Sequence, residues 1–256
     1  MTTLLLSGLA VTAAVCASLT AAVIPLLRRA RVVDVPGDRS LHRTPVPRGG
    51  GLAVVLAASL ATWTAVLAAV HLQGAVHAMS GVDVALMGLA TVLAFALLGL
   101  IEDLFSVSVR TRLVLQLVLG AGLGLVAHSA FEVSLWWTPA ICVGTAALVN
   151  ATNFMDGANG LACGHALLTS LWYVQVAAVA PVAGLGLVMV SVAGACLGFL
   201  PFNTPRAKVF LGDSGSYALG SAWAFAVTAC LSRGVAVEAA LAPVLVLLAD
   251  TRSEER

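Results

Sequence analysis

Four carboxylates stand where chemistry would need them. Glu102 and Asp103 follow directly on an apolar run, Asp156 sits in "NATNFMDGANGLACG" (150–164), and Asp213 heads "GDSGS" (212–216). Acidic side chains beside a membrane-length apolar run are costly to desolvate unless paired or metal-bound, and so mark function by default. Several oxygens without Cys or His at ligand spacing favour a hard cation, Mg²⁺ or alternatively Mn²⁺, over zinc. Helix N-capping alone would account for Asp213 or Asp156 taken singly, but not for three carboxylates on one side. Glycines at 49–51, Gly157, Gly160, Gly212 and Gly215 stand where loops enter apolar runs, and there backbone N–H groups can approach an anion. Arg39, His42, Arg43, Arg48, Arg110, Arg112, Arg206 and Lys208 place cations beside the acids. Carboxylates for a divalent ion together with arginines suit phosphate chemistry, because charge must be neutralised before a nucleophile can approach. Arg39 and one of Arg110 or Arg112 are expected to serve that purpose; the others, Arg48 among them, are explained by topology.

The elements that carry these residues are membrane helices. The chain has 256 residues, is 60% hydrophobic and 10% charged, and has a mean hydropathy of +1.02, which excludes an ordinary soluble domain. Apolar segments at about 3–27, 50–70, 84–101, 113–128, 134–150, 160–180, 182–200, 216–232 and 235–250 match the ~20 residues that cross ~30 Å of hydrocarbon. The fourth and fifth are the weakest, blurred by the glycines of 120–124 and by Pro139. The first is long, lacks a basic leader and is followed by arginines, so it reads as a retained span rather than a signal. Five cysteines lie singly in apolar runs, without disulfide or metal spacing. The sequence therefore predicts an all-α, polytopic membrane bundle of about nine helices, forming one integral membrane domain over 1–256.

The connections divide by chemistry. Twelve of the 13 Lys and Arg residues fall in odd-numbered connections or after the last span, and only Arg233 falls in an even one. The positive-inside rule puts the odd connections in the cytoplasm and the N-terminus outside. The same odd connections hold "DVPGDRSLHRTPVPRGGG" (34–51), "IEDLFSVSVRTRLVLQ" (101–116), "NATNFMDGANGLACG" and "PFNTPRAKVFLGDSGS" (201–216). Four loops on one side imply one composite site, where a lipid-borne substrate meets a soluble phosphate compound. No internal repeat or mid-span charge suggests a transporter.

These loops, in this order, resemble those of the polyprenyl-phosphate N-acetylhexosamine-1-phosphate transferases. Asp34, Pro36, Arg39, His42, Pro45, Pro47, Gly49 and Gly50 match the family's first loop. Glu102 and Asp103 match its acidic pair, followed by Arg110, Arg112 and Gln116. Asn150, Asn153, Asp156 and Gly157 match N-x-x-N-x-x-D-G, and Phe210, Gly212, Asp213, Gly215 and Ser216 match F-x-G-D-x-G-S. The resemblance implies transfer of an N-acetylhexosamine-1-phosphate from a UDP-sugar to undecaprenyl phosphate, releasing UMP and initiating an envelope polysaccharide. Catalysis would fall to Asp103, Glu102 and Asp213, with Asp103 deprotonating or orienting the lipid phosphate. Asp213 and Asp156 would hold Mg²⁺. Arg39, His42, Arg110, Arg112, Asn150, Asn153, Gly157, Asn159 and Phe210 would bind substrate, Phe210 stacking on uracil. The bilayer is a partner, nucleic acid is not, and a homodimer is a candidate assembly.

The sequence also departs from the family pattern. Glu102 replaces the usual aspartate, and Asn159 a residue often acidic. The chain ends at "LADTRSEER", about where such enzymes continue into a histidine-rich loop, so the bundle is expected to be C-terminally short. His71, His77, His128 and His165 are not placed to replace that motif. A catalytically inactive, truncated relative that binds lipid phosphate or partners is the alternative reading.

Overall fold

The computed structural model of the chain describes residues 2–36, 44–73, 75–180 and 182–253. Among these it has nine α-helices: α1 (Thr2–Arg29), α2 (Gly51–Gln73), α3 (Ala75–Phe105), α4 (Val109–Phe131), α5 (Thr138–Met155), α6 (Leu161–Val179), α7 (Leu185–Asn203), α8 (Gly212–Ser232) and α9 (Val237–Ser253). Two short strands, β1 (Val33–Asp34) and β2 (Val46–Pro47), pair antiparallel between α1 and α2. The all-α, polytopic expectation holds, with one helix at each expected span.

Among the described residues, six stretches are long and apolar enough to cross a membrane: Leu5–Arg29, Gly51–His71, Gly81–Phe105, Val109–Phe131, Leu161–Val179 and Leu185–Asn203. α5, α8 and α9 are not among them. For α8 the reason is position. Every residue from 212 to 226 is buried, so this helix meets protein rather than lipid. A helix enclosed by others can carry Asp, Ser and Gly, whereas outer helices display apolar side chains such as Leu56, Leu97, Val118 and Leu168. α3, α5 and α2 pack around α8, and α7 packs against α1, α2 and α6.

Two weak points in the sequence are sound in the structure. α4 runs unbroken through Gly120 and Gly124 because those glycines face α5; a Cβ at Gly120 would come within 2.8 Å of the Cys142 carbonyl, and one at Gly124 within 2.6 Å of Thr138. This is the close approach that small residues four apart allow between membrane helices. Pro139 lies in the first turn of α5, where the missing N–H costs nothing. The 3₁₀ turn Leu135–Trp137 leads into that start and leaves Trp136 exposed at the end of the bundle remote from the acids.

The remaining connections are fastened where they position polar groups. Ser108 caps α4 through the Thr111 N–H at 3.2 Å. β2 is followed by Arg48, which bridges in parallel to Phe210: the Phe210 N–H donates to the Pro47 carbonyl, and the Gly50 N–H to the Phe210 carbonyl, both at 2.8 Å. The first connection is thereby tied to the segment that enters α8.

Candidate active site

The first turn of α8 is the centre of the site. A helix start leaves backbone N–H groups without intrahelical acceptors, and Leu211 at the N-cap has no side-chain acceptor to offer. Two carboxylates from other helices supply the acceptors. Asp103, in the last turn of α3, accepts the Asp213 N–H on Oδ1 at 3.0 Å and the Ser214 N–H on Oδ2 at 2.9 Å. Asp156, at the C-cap of α5, accepts the Gly212 N–H. Gly212 has φ +78°, and a Cβ there would stand 3.1 Å from both Asp103 oxygens, so only glycine admits this cap. The positive end of the α8 dipole favours the ionised carboxylates it faces. Asp213 therefore lies inside the first turn of α8 instead of ahead of it, and the capping is done across helices.

Arg48 closes the cluster. Its Nε lies 3.1 Å from Asp103 Oδ1, and its Nη2 donates to Asp213 Oδ2 at 2.7 Å. Asn153 Nδ2 donates to the other Asp213 oxygen at 2.6 Å and reaches Ser216 Oγ at 3.0 Å. Each Asp213 oxygen thus has a fixed donor, and the carboxylate is locked in one rotamer. The Asp103 side chain is 3% exposed and that of Asp213 11%, whereas that of Arg48 is 41% exposed. The Asp103 side chain is accordingly turned into the protein, both of its oxygens accepting backbone N–H groups of the α8 entry.

The rest of the expected residues divide around this cluster. Glu102 has partners different from those of Asp103: it accepts the Val107 N–H at 3.1 Å and meets Arg112 Nη1 at 3.5 Å, bracing the α3–α4 turn. The acidic pair serves two places. Arg112 is half-buried against Glu102, while Arg110 is exposed. Asn150 Nδ2 donates to Gln116 Oε1 at 2.6 Å, linking α5 to α4. Gly157 is exposed in the turn after Asp156, its N–H on the Phe154 carbonyl. Asn159 is exposed, 3.4 Å from the Pro205 carbonyl. Phe210 is half-buried directly before the α8 entry. Arg39 and His42 lie outside the described residues.

Sequence reasoning missed two residues. Arg48 was grouped with the topological arginines, yet it bridges two carboxylates of the site. Asn203 is buried at the end of α7 and fixes two loops at once, accepting the Gly160 N–H at 2.8 Å and donating to the Val209 carbonyl at 3.1 Å. No local pattern in the sequence marks either residue.

The electrostatics follow from crowding. Burial pushes the Asp156 carboxyl well above its ordinary range; the Gly212 N–H and Arg48 pull it back, and Asp213 and Asp103 push it further. Burial alone would lower the Arg48 pKa, but Asp213, Asp103 and Asp34 outweigh it and raise it, so the guanidinium stays charged. Among the described residues no three His, Cys, Asp or Glu side chains are arranged to enclose an ion. A Mg²⁺ site of the phosphate-binding kind does not require three, since one or two carboxylates with phosphate oxygens and water suffice. Asp213 and Asp156 at the mouth of α8 fit that donor set, because each Asp213 oxygen keeps a lone pair beyond its observed hydrogen bond.

The chain is similar to known proteins. Over 228 residues the chain is 33% identical to the decaprenyl-phosphate N-acetylglucosaminephosphotransferase of Mycobacterium leprae, covering 79% of this chain and 55% of that protein. Over 235 residues it is 32% identical to the phospho-N-acetylmuramoyl-pentapeptide-transferase of Desulforudis audaxviator, covering 77% of this chain and 68% of that one. The chain thus spans about half the length of the mycobacterial relative, at 55%. Residues 84–231, which run from α3 to the end of α8 and hold every carboxylate of the cluster, match Glycosyl transferase family 4, and the chain belongs to that family.

Proposed function

We propose that the protein transfers an N-acetylhexosamine-1-phosphate from a UDP-sugar to a polyprenyl phosphate at the cytoplasmic face of the membrane, with its N-terminus outside, releasing UMP. The observation that carries this reading is the Arg48-bridged carboxylate cluster at the start of α8, set at one end of a bundle of membrane-length helices. Such a site can receive a phosphate that arrives on a lipid and a pyrophosphate that arrives from water. The relatives named above, each a transferase that works on a phosphosugar, support the same reading.

An oxygen of the lipid phosphate attacks the β-phosphorus of the UDP-sugar. The bond from that phosphorus to the bridging oxygen breaks, and the electron pair leaves with UMP. A phosphate monoester has its second pKa near ~6, so most of the nucleophile is already ionised at neutral pH and needs no base. This agrees with the burial of Asp103, whose part is to hold the α8 entry in place. Asp213 and Asp156 would hold Mg²⁺, or Mn²⁺, which when bound supplies Lewis-acid neutralisation of the phosphate oxygens. Asn153 keeps Asp213 aimed, Arg48 offers its exposed N–H groups to phosphate, and Phe210 offers its face to uracil. Arg112, Asn150, Gly157 and Asn159 shape the rim, and Arg39 and His42, which lie outside the described residues, would bind substrate. One anhydride replaces another, so the reaction runs in both directions.

The test uses membranes holding the full chain, undecaprenyl phosphate, MgCl₂ and a panel of radiolabelled UDP-N-acetylhexosamines. Lipid-linked sugar formed in step with UMP supports the proposal. Failure with every sugar, in membranes where the protein is folded and abundant, overturns it.

A further inference from the structure

Arg48 stands where an incoming ion would be repelled. Its Nη2 is 2.7 Å from Asp213 Oδ2 and its Nε 3.1 Å from Asp103 Oδ1. Asp213 Oδ1 is taken by Asn153, and both Asp103 oxygens by the backbone of α8. A divalent ion seated on Asp213 would therefore lie within a few ångströms of a fixed positive charge, in a partly buried setting where such repulsion is weakly screened. The backbone of Arg48 cannot retreat: its N–H donates to the Val32 carbonyl at 3.1 Å, and it bridges to Phe210. The side chain can, because it is 41% exposed and reaches the cluster from the solvent side.

We propose that the Arg48 guanidinium is an internal cation that competes with the divalent ion for Asp213, so that the seat is closed until a pyrophosphate draws the guanidinium outward. The inference rests on the reading of Asp213 as a metal ligand and adds to it an order of events. Without nucleotide, Arg48 neutralises Asp213 and Asp103, which would otherwise stand at the α8 entry without a cation. With nucleotide, the planar donor set of arginine has a better partner, since it matches phosphate oxygens two at a time. The ion and the nucleotide then arrive together, and the ion has little hold on the protein alone. Arg48 is thus a positioning residue with two stations, one on the carboxylates and one on the substrate.

The prediction is a gain of binding on mutation, which a merely structural role does not give. Binding of Mn²⁺ alone to the full chain in nanodiscs is read by the loss of the free-ion EPR signal. Arg48→Met is expected to bind Mn²⁺ about tenfold or more tightly than the wild type, the factor associated with removing a charged hydrogen bond that competes for the ligand. Arg48→Lys, which keeps the charge but cannot span both carboxylates, is expected to fall between the two, and it serves as the readout should Arg48→Met fail to fold. Equal or weaker Mn²⁺ binding in both variants overturns the proposal. Asp213→Asn separates this failure from that of the metal assignment: if it binds Mn²⁺ as the wild type does, the seat itself is elsewhere.

Discussion

At the residue scale the site depends on what grips Asp213. Asn153→Ala removes a hydrogen bond to a charged group, which contributes about 1.5–3 kcal/mol. It is expected to lower kcat by at least tenfold while α8 keeps its place, as checked by kinetics beside a thermal melt. Glu102→Gln should cost far less than Asp213→Asn in the same assay, because Glu102 braces the Val107 N–H and Arg112. Asp156 carries a pH signature. Its folded pKa lies well above the ordinary 3.8, so at pH values between the two the folded state holds a proton that the unfolded chain has released. Stability from that proton is complete below the ordinary value and is lost as pH rises through the raised one. Asp156→Asn keeps an acceptor for the Gly212 N–H and removes this slope. Melts in EDTA are expected to show the variant more stable than the wild type at neutral pH and level with it in acid. Asp103, Asp156, Asp213 and Asn153 were legible in the sequence because carboxylates and amides interrupting apolar runs have few other reasons to be there. Arg48 was not, because positive-inside charge already accounts for an arginine in that loop, and its role arises from strand pairing with a segment far away in the chain.

At the element scale, α8 is the axis on which the account turns, and its composition hid its place. Seryl and glycyl residues shortened the apolar run and moved the expected start to about 216, yet the helix begins at Gly212 because Asp103 and Asp156 cap it from outside. No pattern within one segment reports a cap supplied by another. Periodicity and length did place the other helices, whose lipid-facing surfaces must be apolar whatever their neighbours are. The close contact of α3 with α8 is a direct test. Gly99 lies against the Asp213 carbonyl, and a Cβ would collide with the backbone there. Gly99→Ala is expected to destabilise the protein by about 1–3 kcal/mol and to lower kcat by displacing the α8 entry. Gly122→Ala, with nothing near its Cβ, should do neither, and thermal melts with parallel rate measurements distinguish the two.

At the scale of the whole molecule, four connections distant in sequence meet at one end of the bundle, as their shared polarity predicted. The side of the membrane they face is the part that charge asymmetry alone proposes, with 12 of 13 basic residues in odd connections or after the last span. Arg206→Cys is expected to react with an impermeant maleimide only in inside-out vesicles, and Trp136→Cys only in right-side-out ones. Cys16, Cys163, Cys196 and Cys230 are fully buried and give little background. The carboxylate cluster as catalytic centre is tested most directly by release of radiolabelled UMP from UDP-N-acetylhexosamine in membranes supplied with undecaprenyl phosphate and Mg²⁺, wild type against Asp213→Asn. The account predicts release by the wild type and a loss of at least about 10²-fold in the variant, on the scale of removing a group that stabilises charge in a transition state. Release by Asp213→Asn at the wild-type rate would contradict it.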